Sequence, residues 1–434
     1  MRQKVSLLTF GCKLNQAETQ AIAERLSRNF EINFEEKNGE SDIYILNTCA
    51  VTKEAERKVR QTIRRLKNLN KDSKIVTIGC FSNANPNELE NLGVDLVLGN
   101  FEKKNIENFI EKNGVYVDKN FWLDKEKMVI MKPQSAYSNY TRFFLPIEEG
   151  CVNGCTFCKI RFLRGIKISS LSQEEVITQI REAIKRGYKE VVLTGINLGY
   201  YGFERGESLE DLLNNIGKIF DNKNIRIRLT SLYPENVSNN LSFILNNYSI
   251  FEKHVHLSIQ HFSDKILKAM GRKYSNEDVS TAINRLRKYD PKFSITCDLI
   301  VGFPGEEAED FQIMLDSVKN LKLLKVHGFR FSPREGTIAA KMENQIPENE
   351  KKERLNQLLS VSEKSKYDYL SQLINFEVNV LIESFYKNNF YGYDEYYIFH
   401  EITNTSDNLK KGEFVRSKIF SISDRRKGVA SNVF

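Results

Sequence analysis

Residues 142–158 read RFFLPIEEGCVNGCTFC, a strand-like apolar run that leads into three cysteines. Cys151, Cys155 and Cys158 have the spacing C-x3-C-x2-C, which is one ligand short of a closed tetrahedral zinc site. Iron–sulfur cubes are held by Cys thiolates, and short spacings let one loop supply several of them. Three ligands would leave one iron open to a small molecule that binds through an amine and a carboxylate. The alternatives are a zinc ion completed by a distant His and a redox-active thiol group.

The cysteine loop follows the first strand of a long alternation of strands and helices. The candidate strands are RFFLPIE (142–148), EVVLTG (190–195), RIRLTSL (226–232), HVHLSIQ (254–260), FSITCDLIVGF (293–303) and HGFRFSP (327–333). Helical patterns separate these strands, and a charged helix over 347–373 ends the series. Six βα units are fewer than the eight of a full barrel, so we predict an open partial (βα)6 barrel. The loop would lie at its carboxyl-terminal mouth, where barrel enzymes place their chemistry.

The first hundred residues also alternate between apolar strands and amphipathic helices. The predicted strands are KVSLLTF (4–10), DIYILNT (42–48), KIVTIG (74–79) and VDLVLG (94–99), with helices over 15–28 and from near Thr52. This pattern predicts a small α/β domain with a parallel sheet.

Three further cysteines stand at the ends of these strands. Cys12, Cys49 and Cys80 close the segments TFGC, LNTC and TIGC. Adjacent parallel strands would bring the three loops together at the sheet edge where ligands bind, and the following helix N-termini favour thiolates. The alternative is three separate buried cysteines that end strands. Cys297 lies inside a predicted strand and is predicted to be a small core residue.

The last sixty residues carry strand signals with turn residues between them. These segments are EVNVLIES (377–384), YYIFHEI (396–402) and EFVRSKIF (413–420). They predict a small C-terminal β-barrel. We therefore predict an α/β chain of three domains, over 1–113, 137–367 and 370–434, with a Lys-rich connector within 101–140.

Composition limits the class of protein. The chain has 434 residues, of which 41% are hydrophobic and 28% charged, which is ordinary for a globular protein. No run approaches eighteen apolar residues, so no membrane span is expected. The N-terminus lacks the pattern of a signal peptide, so we expect a cytoplasmic protein, in which grouped cysteines are metal ligands or catalytic thiols. The net charge of +7 permits a polyanionic partner.

The three-cysteine loop after the first strand of a partial barrel resembles the radical S-adenosylmethionine signature. Later segments resemble the methylthiotransferase family in order: LTGINLGYYG (193–202), RIRLTSLYP (226–234), HVHLSIQ (254–260), DLIVGFPGE (298–306) and FSPREGTIAAKM (331–342). The resemblance covers nearly the whole chain. The opening TFGCKLNQAE (9–18) is most similar to the branch that modifies N6-threonylcarbamoyladenosine in tRNA. The chain departs from the family near the expected cofactor pocket: Gln260-His261-Phe262 replaces a usual Gln-Ser-Gly, Tyr233 a common Glu, and Ser170 a frequent Arg.

The resemblance implies two 4Fe–4S clusters and S-adenosylmethionine as co-substrate. Cys151, Cys155 and Cys158 would hold the cluster at which S-adenosylmethionine is reductively cleaved. Cys12, Cys49 and Cys80 would hold an auxiliary cluster that carries the sulfur, which a second S-adenosylmethionine methylates. All six cysteines would then be catalytic as well as metal ligands.

The implied reaction replaces the C–H at carbon 2 of N6-threonylcarbamoyladenosine, next to the anticodon at position 37, with a methylthio group. Alternative substrates within the family are isopentenyladenosine in tRNA and an aspartate of a ribosomal protein. An alternative of another class is a non-catalytic iron–sulfur regulator that binds RNA. Because no flavin or nicotinamide motif is visible, an external electron donor such as flavodoxin or ferredoxin is expected.

Weaker motifs complete the predicted sites. Gly195 and Asn197 in TGINLGYYG, and Glu306 in VGFPGE, would line the S-adenosylmethionine pocket, or else only turn the chain. Asp298 has no assigned role, and the alternating residues His254 and His256 are interpreted as structural.

A basic stripe is predicted on the helix after Cys49. Arg57, Arg60 and Arg64 form its centre, and Lys53 and Lys67 extend it at the spacing of one helix face. The stripe would contact tRNA phosphates or be a solvated face. The basic segments LKKGEF (409–414) and SDRRKG (423–428) lie in the predicted C-terminal barrel, which resembles the RNA-binding TRAM domain of this family.

Overall fold

The computed structural model describes residues 2–34, 39–124, 130–133, 141–403, 409–423 and 428–433. Most of the predicted basic turn at 423–428, and the predicted domain start at residue 137, lie outside these ranges. The chain forms two compact units. The first comprises Met1–Asn153, Cys158–Ile180 and Thr194–Glu207, and the second comprises Gly154–Phe157, Arg181–Leu193 and Ser208–Phe434. Within the described ranges, no helix has the length and apolar character needed to cross a membrane.

The first unit contains the predicted parallel sheet. Its strands are β1 (Lys4–Thr9), β2 (Glu31–Asn33), β3 (Ile43–Thr48), β4 (Lys74–Gly79), β5 (Leu96–Leu98) and β6 (Gly114–Tyr116), in the order β2-β1-β3-β4-β5-β6 with every pair parallel. The helices are α1 (Lys13–Leu26), α2 (Lys53–Leu69), α3 (Cys80–Ala84) and α4 (Pro86–Asn91). The predicted α/β alternation is confirmed. The short strands β2 and β6 were not predicted, and β6 lies within the stretch interpreted as a connector.

Helix α2 shows how the unit buries its faces. The Thr52 hydroxyl accepts a hydrogen bond from the amide of Ala55 at 3.1 Å and caps the helix. Val59, Ile63 and Leu66 follow at intervals of four and three and are fully buried. Because these spacings place side chains on one helix face, α2 packs that face on the sheet and turns the basic face outward.

The first unit also holds the segment around the three-cysteine loop. This segment contains β7 (Arg142–Pro146), β8 (Glu148–Glu149), α5 (Ile160–Arg164) and β9 (Ser169–Ser170). Leu163 of α5 packs in the same hydrophobic cluster as Cys80 and Phe81 of α3.

The βα series continues through α6 (Gln173–Lys185) and β10 (Glu190–Thr194) into the second unit. Its later elements are α7 (Leu209–Phe220), β11 (Arg226–Leu229), β12 (Ser231–Leu232), α8 (Asn239–Asn247), β13 (His254–Gln260), α9 (Asp264–Ala269), α10 (Asn276–Arg287), β14 (Ser294–Val301), α11 (Ala308–Asn320), β15 (Lys325–Arg330) and α12 (Glu348–Ser371). Strands β12, β13, β14 and β15 are parallel neighbours in that order, and β10 pairs in parallel with β11. Each strand predicted for the series is present, and RIRLTSL is divided between β11 and β12.

The C-terminal strands form the predicted small barrel. They are β16 (Glu377–Tyr386), β17 (Asn389–Tyr393), β18 (Phe399–Thr403), β19 (Phe414–Ser423) and β20 (Gly428–Val433), closed in the order β16-β17-β18-β20-β19. Val378, Val380 and Ile382 alternate along β16 into the barrel core. Closure removes the exposed sheet edges that so short a β-structure would otherwise have.

Candidate functional site

The first unit brings the loops of Cys12, Cys49 and Cys80 to one edge of its sheet. Cys12 is the N-cap of α1, Cys49 directly follows β3, and Cys80 begins α3 directly after β4. Strands β1, β3 and β4 are consecutive parallel neighbours. The predicted adjacency of the three strands is therefore confirmed, and the role of the thiols as ligands stays a prediction.

The Cys12 and Cys49 thiols both have raised pKa values, chiefly because they are buried. Burial, together with repulsion from Cys12 and Cys80 when these are ionised, raises the pKa of the Cys49 thiol to about 12. Mutually repelling thiols ionise together only when a cation takes up their charge, which is the behaviour of metal ligands. The donor set therefore fits an iron–sulfur cluster.

A single metal ion and a four-iron cube place different demands on their ligands. Across the described ranges, no three His, Cys, Asp or Glu side chains converge on the position of one ion. A four-iron cube makes a different demand, because each thiolate binds a different iron and the ligands surround the cube.

Gly11 leaves room for the Cys49 thiol. A Cβ at Gly11, where φ is 109°, would lie 2.7 Å from Cys49 Cβ and 2.9 Å from its Sγ. Asn15 ties the neighbouring loops together, because its Nδ2 donates to Phe10 O at 2.8 Å and to Thr48 O at 3.1 Å. Gly11 and Asn15 both belong to GCKLNQ, so this stretch shapes the loops beside the Cys49 thiol.

Sequence reasoning missed Arg164, the last residue of α5. Its side chain is 1% exposed, and its Nε donates to Cys80 Sγ at 3.2 Å. It also forms an ion pair with Glu18 of α1. The only sequence signal was an arginine six positions after Cys158, which does not indicate a contact with Cys80.

The loop of Cys151, Cys155 and Cys158 is divided between the two units. Cys151 and Cys158 belong to the first unit and Cys155 to the second. Cys151 and Cys155 are buried, and Cys158 is partly buried. Within the first unit, the Cys151 amide donates to Gly165 O at 3.0 Å, so this end of the loop is held by the residue after α5.

The second unit anchors the residue after Cys155. The Thr156 amide donates to Met270 O at 3.0 Å, and its hydroxyl donates to Ala269 O at 2.9 Å. The Ala339 amide donates to Thr156 O at 2.9 Å. Two backbone hydrogen bonds and one from the side chain therefore fix Thr156, the residue beside Cys155.

Gly195 and Asn197 both contact a buried carboxyl group, that of Glu148. A Cβ at Gly195 would lie 2.5 Å from Glu148 Oε2, and the Asn197 amide donates to the same oxygen at 2.9 Å. Burial raises the pKa of Glu148 well above its ordinary value. Glu148 Oε1 and Asn197 Nδ2 are buried without hydrogen-bond partners among the described residues. Such orphaned groups fit a site for a polar ligand.

Glu306 is engaged by the protein itself. Its Oε2 accepts hydrogen bonds from the amides of Gly302 at 2.8 Å and Phe303 at 3.3 Å, and its Oε1 pairs with Arg354 at 2.6 Å. His261, one of the departures from the family pattern, lies 3.4 Å from Oε2. These contacts show a structural role for Glu306, and its predicted contact with S-adenosylmethionine stays a prediction.

A polar cluster on β13, β14 and β15 was not predicted as a site. His256 Nε2 lies 3.2 Å from Asp298 Oδ2, and its Nδ1 lies 2.9 Å from the Thr296 hydroxyl. The rings of His256 and His327 are 5.5 Å apart. The alternation of side chains along a strand predicts which face each residue occupies. Only the register between strands, which pairs Asp298 with His327, shows that these side chains are neighbours.

Tyr233, which stands where the family commonly has Glu, contacts a buried arginine. Its ring lies 4.4 Å from the guanidinium of Arg272, which also lies near the rings of Phe157 and Tyr274. The aromatic rings thus stabilise a cation in the segment that follows α9.

The basic stripe on α2 is partly paired. Arg60 Nε binds Glu88 at 2.5 Å, and Arg57 forms an exposed ion pair with Glu54 at 2.6 Å. Arg64 is exposed, and the structure shows no carboxylate partner for it among the described residues. Arg60 therefore has a structural role, while Arg57 and Arg64 are accessible to an anionic partner.

Comparison with known proteins places these elements in a family. Residues 4–99 match the Uncharacterized protein family UPF0004, and residues 145–318 match the Radical SAM superfamily. The Threonylcarbamoyladenosine tRNA methylthiotransferase MtaB of Thermotoga maritima is 40% identical over 97% of this chain and 95% of its own length. The protein of the same name from Bacillus subtilis is 35% identical over 96% and 93%. The chain belongs to the threonylcarbamoyladenosine branch of the radical S-adenosylmethionine methylthiotransferase family.

Family membership makes the chain a radical S-adenosylmethionine methylthiotransferase, as the motifs predicted. Cys12, Cys49 and Cys80 lie in the first matched region, and the three-cysteine loop lies in the second. Among solved structures, the radical S-adenosylmethionine methyltransferase TsrM from Kitasatospora setae has a TM-score of 0.57, with 14% identity over 78% of this chain and 77% of its own. That likeness shows a shared fold.

Proposed function

We propose that this enzyme transfers a methylthio group to carbon 2 of N6-threonylcarbamoyladenosine at position 37 of tRNA. The observation that carries the proposal is the meeting of Cys12, Cys49 and Cys80 at one edge of a parallel sheet, in a chain that also has a C-x3-C-x2-C loop. Two separate thiol sets support two 4Fe–4S clusters, one for radical generation and one for sulfur.

The proposed chemistry follows from the substrate. The hydrogen on carbon 2 of adenine is unreactive toward acid–base chemistry, so its replacement requires a radical route. When bound, the clusters and S-adenosylmethionine would supply the radical, the methyl group and the sulfur. The chain's own part is to hold them: Cys151, Cys155 and Cys158 bind one cluster, Cys12, Cys49 and Cys80 bind the other, and Gly195 and Asn197 border the co-substrate.

The proposed substrate position also has a physical basis. A base that reaches the auxiliary cluster must leave its stack, and bases in a tRNA loop do this at modest cost. The threonylcarbamoyl group carries a carboxylate, which suits basic neighbours better than an apolar isopentenyl group. An external donor such as flavodoxin or ferredoxin would supply the electrons.

Nucleoside mass spectrometry of tRNA from a strain that lacks the gene tests this function. We expect 2-methylthio-N6-threonylcarbamoyladenosine to disappear and its unthiolated precursor to accumulate, because methylthiolation acts on the finished precursor. A plasmid-borne copy should restore the product, whereas a copy with Cys12→Ala should not. Loss of the methylthio isopentenyl nucleoside, or of a ribosomal-protein modification, would contradict the assignment.

The domain division over 1–113, 137–367 and 370–434 is part of this proposal. The closed barrel of β16 to β20 lies in the last range and would bind RNA. Phe385 and Tyr386 on β16 and Phe420 on β19 expose about half of their surface or more, at 60%, 59% and 46%. Exposed aromatic rings beside basic side chains are suited to stacking on unpaired bases.

A charge reversal on α2 tests its contact with tRNA. Arg57→Glu with Arg64→Glu should weaken tRNA binding and lower the salt dependence, because each lost phosphate contact removes about 0.7 to 0.9 of slope. The measurement is the dissociation constant as a function of salt concentration. Lys185→Glu with Arg186→Glu, at the end of α6, is the matched control with the same change in charge. Equal affinity and slope in both variants would show that the stripe is a solvated face.

A further inference from the structure

Arg164 combines an unusual burial with an unusual set of partners. Its Nε donates to Cys80 Sγ at 3.2 Å, its Nη2 donates to Asn15 Oδ1 at 2.7 Å, and its Nη1 lies 3.2 Å from Glu149 Oε1. Both terminal nitrogens also bind the carboxylate of Glu18. The planar guanidinium is therefore held on its outer side, and the remaining Nε–H points at the sulfur.

Arg164, Lys103 and Glu18 form a buried group of paired charges. Lys103 Nζ lies 2.7 Å from Glu18 Oε2, so two cations share this carboxylate. Against the opposing effect of burial, the charges of Arg164 and Lys103 hold the pKa of Glu18 at about 2. A buried charge is costly unless it is paired, and the ion pairs fix the position of the guanidinium.

A second contact leads to the same sulfur. Asn100 Nδ2 lies 3.7 Å from Cys80 Sγ and donates to Leu163 O at 2.6 Å. Asn100 Oδ1 accepts a hydrogen bond from Lys103 Nζ at 2.7 Å. Cys80 is therefore contacted by Arg164 and by Asn100, whose side chain is bound to the carbonyl of Leu163. Arg164 and Leu163 both belong to α5, which begins two residues after Cys158.

We propose that Arg164 is a positioning residue that orients the Cys80 sulfur as a ligand of the auxiliary cluster. This inference rests on the proposed function, in which Cys80 binds that cluster. The segment after Cys158 then sets the position and electrostatics of a ligand in the other cysteine set. An N–H donor and a positive charge beside a cluster thiolate stabilise the reduced cluster, so they raise its reduction potential.

The experiment uses a full-length background with Cys151→Ala, Cys155→Ala and Cys158→Ala, in which only the auxiliary cluster contributes iron. Arg164→Met keeps the apolar stem and removes the donor and the charge, whereas Arg164→Lys keeps the charge. Arg228→Met is the matched control, because Arg228 is fully buried with Glu190 and Glu252 and belongs to the second unit. Circular dichroism identifies variants that fold.

Two properties of the cluster are measured after anaerobic reconstitution. We expect Arg164→Met to weaken iron retention against a chelator roughly 10- to 100-fold, the usual effect of losing a residue that supports a metal ligand. Its reduction potential should fall, and Arg164→Lys should restore part of it. Arg228→Met should change neither property. Parental potential and retention in Arg164→Met, or the same losses in Arg228→Met, would overturn the proposal.

Alkylation of the iron-free proteins separates this inference from the proposed function. Arg164→Met should decrease the alkylation rate of Cys80 relative to Cys12 and Cys49, because the Cys80 thiolate loses an N–H donor and a neighbouring positive charge. Peptide mass spectrometry measures the three rates. If the background binds no iron, the auxiliary cluster of the proposed function fails, while a selective decrease in Cys80 alkylation still supports the contact. An unchanged ratio in a folded Arg164→Met protein overturns the contact itself.

Discussion

Replacing Cys12, Cys49 and Cys80 with alanine should leave a protein that cleaves S-adenosylmethionine but makes no methylthiolated tRNA. The reconstituted parent should bind about eight irons, and this variant about four, because each thiol set holds one cube. Replacing Cys151, Cys155 and Cys158 should also leave about four irons, but it should abolish cleavage. Iron analysis, release of 5′-deoxyadenosine and nucleoside mass spectrometry measure the three properties.

The matched control for both triple variants is Cys297→Ala. Cys297 is fully buried in β14 and belongs to neither thiol set. Its replacement therefore removes a thiol that is not a predicted cluster ligand. It should retain the parental iron content and product. Zinc in either set, or equal loss of cleavage in both triple variants, would contradict the division of labour between them.

Gly11→Ala should remove the auxiliary cluster while leaving every cysteine in place. The added methyl carbon would lie 2.9 Å from Cys49 Sγ and 2.7 Å from its Cβ, which is closer than these atoms approach without movement. The backbone would also keep an unfavourable φ of 109°, at a cost of roughly 1–2 kcal/mol. We expect about four irons, retained cleavage of S-adenosylmethionine and no methylthio product.

Gly114→Ala is the control that separates the effect of backbone strain from the effect of the contact with the Cys49 thiol. Gly114 has a φ of 106°, and a Cβ there would meet nothing within 4 Å. Both variants carry similar backbone strain, but only Gly11→Ala displaces Cys49. The thermal midpoint should therefore fall in both, and auxiliary iron should fall only in Gly11→Ala. Full iron content in a folded Gly11→Ala protein would show that the loop adjusts without moving the ligand.

Local patterns predicted most of the architecture. Continuous apolar strands separated by amphipathic helices predicted both βα series, and clustered strand signals predicted the closed C-terminal barrel. The misses were short or weak strands, such as β2, β6 and β17. Glu31–Asn33 and Gly114–Tyr116 contain only three residues each, and their place in the sheet depends on neighbouring strands more than on their own composition.

The candidate site likewise has features that the sequence predicted and contacts that it did not. The adjacency of the strands that precede Cys12, Cys49 and Cys80 followed from the α/β alternation, because parallel strands place their carboxyl ends at one edge. The sequence did not show that Gly195 admits the Glu148 carboxyl, or that the carboxylate of Glu306 is bound by Arg354. Each of these contacts joins segments that are 47 or 48 positions apart.

The sequence by itself determined the fold class and the family, and it predicted the two cysteine sets, because periodicity, spacing and motif order are properties of neighbouring residues. Only the tertiary structure decided what surrounds the thiols. Arg164 and Cys80 are 84 positions apart, and Arg164 and Glu18 are 146 apart. A buried guanidinium requires its carboxylate and its sulfur at fixed distances in space, and chain folding alone brings those groups together.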